Sequence, residues 1–163
     1  MDFNLAMRYL MVLAVRQAGE GPLFAEHVFK ELLELTEKRA EDIANSLEGF
    51  FQIRADIEGV CSIIATEKID VCPTVGLIRE ALAGEAIPGR GQAPAPLTLE
   101  ATNLLAEAER RATERGGQLI TAADTLLAAL AAPTPLMAHC LAKYDHTPTP
   151  KKKPTRRGDS PVP

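Results

Sequence analysis

Met7-Arg-Tyr-Leu-Met-Val-Leu-Ala-Val-Arg-Gln-Ala-Gly19 and, 97 residues further on, Leu104-Leu-Ala-Glu-Ala-Glu-Arg-Arg-Ala-Thr-Glu-Arg-Gly116 are the two stretches on which the fold turns. Each reads as a helix stopped by glycine, and the same offset then aligns Met11 with Ala108, Val15 with Ala112, Phe29 with Leu126, Leu33 with Leu130 and Ile43 with Cys140. The runs Met7 to Leu47 and Leu104 to Tyr144 therefore share one pattern: helix, glycine turn, helix, third helix. Paired helical units bury their apolar faces against each other. The expected fold is all-α, two such units in one globule. The seam between them is a place for a partner peptide or helix to dock.

The divisions expected are repeat one over about 1–48, a connection over 49–96, repeat two over about 97–145, and a tail over 146–163. Helix 1 is expected from about Asp2, as cap or first-turn acid, to Ala18. A second helix follows over about Leu23 to Leu35, and a third over about Glu37 to Leu47. Residues 50 to 95 read ambiguously up to Pro73, which opens a helix through Ala83. Gly84 to Pro96 reads as a loop. Thr98 or Leu97 opens the helix ending at Arg115. Thr121 and Asp124 form a capping-box variant for the next helix, and Pro135 opens the last. The predicted core includes Met11, Phe29, Leu33, Leu104, Ala108, Leu126 and Leu130.

The chain has 163 residues, 46% of them apolar, no tryptophan and a net charge of −4. Five cationic and two acidic side chains beyond Tyr144 give the tail +3 and leave the body at −7. An acidic body argues against a nucleic-acid surface there. The Pro/Lys tail lacks apolar periodicity and reads as a disordered, solvated tether. Cys61, Cys72 and Cys140 make no metal-binding spacing and read as reduced thiols of a cytoplasmic protein. No basic-then-apolar leader opens the sequence, and the apolar run 9–15 is too short to span a bilayer.

Nothing in the sequence assembles catalytic chemistry or a cofactor site. Gly84-Glu-Ala-Ile-Pro-Gly-Arg-Gly91 lacks the Lys-Ser/Thr of a phosphate loop. Glu26 and His27 point about 100° apart on a helix and do not share one site. Glu107, Glu109, Arg110, Arg111, Glu114 and Arg115 alternate in sign, as on a solvated helix face.

The stretch from Leu97-Thr-Leu-Glu-Ala-Thr-Asn-Leu-Leu105 through Gly116-Gly-Gln-Leu-Ile-Thr-Ala-Ala-Asp-Thr-Leu-Leu-Ala-Ala-Leu130 resembles the second repeat of the N-terminal domain of Clp AAA+ unfoldases. Phe24-Ala-Glu-His-Val-Phe-Lys-Glu-Leu-Leu33 resembles the first repeat, whose helix opens with Glu-His. The resemblance implies a non-catalytic domain that binds protein substrates or adaptor proteins, with a flexible linker toward an ATPase module of the same chain. It points to Glu26 and Thr98 as protein-contacting residues. Some members capture phosphorylated arginine through a Thr near the start of each repeat and the Glu of each Glu-His. Here Met1 falls at the first Thr position and Ala123 at the second Glu position, so neither pair is complete. The connection over 50–95 is longer than the family's by about a helix. The rival reading is a free-standing helical regulator that contacts nucleic acid through its basic tail.

Overall fold

The computed structural model describes residues 1–84 and 97–143. The loop expected from Gly84 to Pro96, beyond Gly84 itself, and the tail expected over 146–163 lie outside the described residues. The fold is all-α. Helices α1 (Leu5–Ala18), α2 (Ala25–Glu34), α3 (Ala40–Ile43), α4 (Leu47–Thr66), α5 (Val71–Gly84), α6 (Leu99–Glu114), α7 (Ala122–Ala131) and α8 (Pro135–Lys143) are joined by one two-residue parallel pair, β1 (Asp2–Phe3) with β2 (Leu119–Ile120).

Several sequence expectations change at the helix ends. Asp2 does not cap α1, because it lies in β1. The cap is Asn4, whose Oδ1 accepts from the Met7 N–H at 2.9 Å. The third helix of the first unit shrinks to the single turn of α3, since a 3₁₀ turn at Leu35–Glu37 and the extended Ala44 interrupt the run. Ser46 then caps α4 through the Gly49 N–H. The ambiguous region is helical, forming the 20-residue α4 and the 14-residue α5. In the second unit the reading of the caps is accurate. Thr98 Oγ1 accepts from Ala101 N–H at 3.2 Å, and Thr121 and Asp124 satisfy each other's backbone N–H groups.

Gly19 and Gly116 end their helices with φ of 61° and 76°. That left-handed backbone is open to glycine at no steric cost. A single apolar cluster joins both units: Met7, Leu10, Phe29 and Leu33 pack with Leu104, Ala108, Leu126 and Met137. Of the predicted core, Met11 and Leu130 are only half-buried at its edge. The match of Val15 with Ala112 fails at the level of packing, for Ala112 is buried and Val15 is half exposed.

The strands reveal how the units interlock. Phe3 pairs with Ile120, and Leu23 pairs with Leu97. Asn4 N–H donates to Ile120 O at 3.0 Å, and Thr98 N–H donates to Leu23 O at 3.1 Å. Each unit thus sends the residues before its first helix to the residues before the other unit's second helix. In this register Asn4, not Met1, is the counterpart of Thr98. The offset slips from 97 to 94 because the first helix of unit two is longer by three residues, counted from cap to glycine.

Among the described residues no single helix is long and apolar enough to cross a membrane.

Candidate functional site: a groove between the connection and the second unit

Helix α4 lies against α7, and between them opens a groove of about 570 Å³. Its walls are Gln52, Ala55 and Asp56 of α4, Asn4 before α1, and Arg115, Leu119, Ala123 and Leu127 of the second unit. Leu119 and Leu127 are exposed there. Phe51 and Leu47, also exposed, follow on α4 one and two turns before Ala55.

Asp56 is the polar pivot of this groove. It sits on the buried stripe of α4 with Ile53, Val60 and Ile64. Its Oδ2 accepts from Asn4 Nδ2 and from Ala122 N–H, both at 2.9 Å, and its Oδ1 accepts from Ala123 N–H at 3.1 Å. The first N–H groups of a helix lack intrahelical partners, and a carboxylate satisfies them while facing the positive end of the dipole. One side chain from the connection therefore ties the cap of unit one to the second helix of unit two.

Arg115 closes the other end. Its Nη2 donates to Asp124 Oδ2 at 2.7 Å and its Nε to Oδ1 at 3.1 Å, a bidentate fork, and Nη2 also reaches Leu119 O at 3.2 Å. Gly117 makes room for this fold-back, because a Cβ there would fall 2.6 Å from Nη2. Burial pushes the Asp124 carboxyl up, but the Arg115 guanidinium and the Thr121 amide and hydroxyl together hold it below its ordinary value. Every charge in the groove is thus answered within the protein. What remains open is apolar surface with the amides of Gln52 and Gln118 at its edge.

The residues expected from sequence lie elsewhere. Glu26, in the first turn of α2, accepts from the Thr134 hydroxyl. It lines a smaller cleft of about 190 Å³ with Phe24, Leu82, Glu100, Pro135 and Leu136. Thr98 is not in that lining. Its hydroxyl is spent on capping α6, and its backbone on Leu23. Beside Glu26, His27 turns back to accept the Phe24 N–H on Nδ1 at 3.0 Å, which is local capping. Burial, reinforced by the neighbouring Lys30 against the opposing pull of Glu26, lowers its pKa. The counterparts in the other unit, Asn4 and Ala123, both line the larger groove, where Asp56 occupies the space between them. Sequence reasoning missed Asp56. The signal was a lone acid on the apolar stripe Ile53–Asp56–Val60–Ile64.

No protein-family model matches this chain, and no curated protein matches it.

Proposed function

We propose that this chain is a protein-recognition domain, of the kind the Clp N-terminal resemblance implies, that takes apolar segments of protein substrates or adaptor proteins into the groove between α4 and the second unit. The observation that carries this reading is the groove itself. It joins exposed leucines to internally neutralised charge, so an incoming apolar side chain gains burial without stranding an ion. Under this reading the chain does no chemistry of its own and works beside an ATPase module.

The test is a fluorescence-anisotropy series with short apolar peptides. Leu127→Asp places an unpaired charge where a side chain would be buried. Losing burial of one leucine-sized anchor is worth about 1.5–3 kcal/mol, roughly tenfold or more in affinity. Affinity unchanged by Leu127→Asp and by the bulky Ala123→Trp would remove the groove from the account. A chain ending at Asp145 should bind the same peptides as the full chain.

A further inference from the structure

A second surface lies on the outer face of α1, and its chemistry differs from that of the groove. The helix Leu5–Ala18 contains no acidic residue. Val12 and Val15 are 52% and 53% exposed. Arg8 and Arg16 flank them, exposed, and neither has an ion-pair partner among the described residues. Arg8 Nε donates to Phe3 O at 3.0 Å, which fixes the base of its side chain without neutralising its charge. At 3.6 residues per turn, positions 8, 12, 15 and 16 fall within about 100° of arc, along about 12 Å of helix. They form one stripe: cation, valine, valine, cation.

The equivalent helix of the second unit provides the comparison within one molecule. On α6, Glu107 pairs with Arg110 and Arg111, and Arg110 pairs with Glu114. That face meets water with self-satisfied charge, as a solvated helix does. On α1 the same structural role is filled by two bare valines between unpaired arginines, on a body whose overall charge is −7.

We infer that the Arg8–Val12–Val15–Arg16 stripe of α1 docks an amphipathic helix of a protein partner, one that carries apolar residues a turn apart between acidic residues on the same face. The complementarity is direct. Partner carboxylates meet Arg8 and Arg16, and the apolar pair covers Val12 and Val15. Helix faces recognise each other through such i, i+4, i+7 rows. The charged ends set orientation and association rate more than total affinity. A broad polyanion such as an anionic membrane is disfavoured, since the cationic strip is only about 12 Å long and the body as a whole carries net negative charge.

The probe is a 16-residue helical peptide with two leucines one turn apart, flanked on the same face by glutamates. Two control peptides carry lysine for glutamate and serine for leucine. Phosphatidylserine vesicles serve as the membrane arm. The acidic peptide is expected to bind the full chain with an affinity that falls as salt rises. Arg8→Glu with Arg16→Glu should weaken it by about tenfold or more, and the lysine peptide should then bind the reversed variant. Val12→Ser with Val15→Ser should weaken it with little change in salt dependence. All four substitutions are at exposed positions, so thermal melts should stay close to the parent's. Leu127→Asp, in the groove, should leave this binding unchanged, which separates the two surfaces. The inference is overturned if the acidic peptide fails to bind, if it binds the reversed variant as well as the parent, or if the vesicles bind the protein and the peptide does not.

Discussion

Replacing Asp56 by asparagine tests the central joint of the fold. The carboxylate accepts three hydrogen bonds, from Asn4 Nδ2, Ala122 N–H and Ala123 N–H, and is only 8% exposed. An asparagine has the same shape but turns one acceptor into a donor, so at least one buried N–H faces another donor. Leaving such a group unsatisfied costs about 1–3 kcal/mol. Loss of the negative charge at the start of α7 adds about 0.3–1 kcal/mol. The expected destabilisation is therefore about 1–4 kcal/mol, against a total of about 5–15 for a domain. Asp56→Ala strands all three donors and should cost more. For a chain of this size each kcal/mol lowers the melting temperature by about 2–4 °C, so a fall of about 2–16 °C is expected. Urea unfolding followed by far-ultraviolet circular dichroism measures it, with Glu58→Gln as control. Glu58 is exposed on the same helix and pairs with Arg54, and its loss should change stability by no more than about 0.5 kcal/mol. An Asp56→Asn variant as stable as that control would mean that the carboxylate is not what joins the units.

Two further outcomes follow from the core and from His27. Leu126→Ala, at a fully buried site shared by both units, should cost about 2–5 kcal/mol in the same urea assay. A change below about 0.5 kcal/mol would place α7 in the wrong register. Because the folded protein holds His27 below its ordinary pKa of 6.5, the unfolded chain takes up the proton first. The contribution is complete above pH 6.5 and is lost as pH falls through the lowered value, by at most about 1.4 kcal/mol per pH unit. Glu31, pushed up by burial, acts in the opposite sense, adding stability as pH falls through its raised value. The difference between the parent and His27→Gln isolates the histidine. Parallel pH profiles for the two would refute the assignment.

The all-α class and most helices were legible because their signals are local. Thr98, Thr121 with Asp124, Gly19 and Gly116 each act within a turn of where they stand, so cap chemistry announces them. What was hidden depends on residues far apart in the chain. Asn4 took the cap from Asp2 because Asp2 and Phe3 pair with Leu119 and Ile120, and no local pattern in two residues signals a strand. A constant offset of 97 assigned Met1 to the place that Asn4 fills, since a length difference inside one helix leaves the apolar period almost intact. The groove was foreseen only as a seam between units. Its actual wall is α4, from the connection, and Asp56 shows its role only once Ala122 and Ala123 are brought beside it.

The crossed pairing of Phe3 with Ile120 also orders events during synthesis. Phe3 waits for a partner made 117 residues later, and Leu23 waits for Leu97. Helices α1 to α5 are all synthesised before either strand contact can form. An emerging chain therefore holds helices α1 to α5 with the Asp2–Phe3 strand still unpaired, and native closure follows the synthesis of Leu97 and then Ile120. Contacts of such long sequence separation are slow to form because the loop between them must first be closed. A ribosome stalled before Ile120 would present a partly built domain with its N-terminal strand still open.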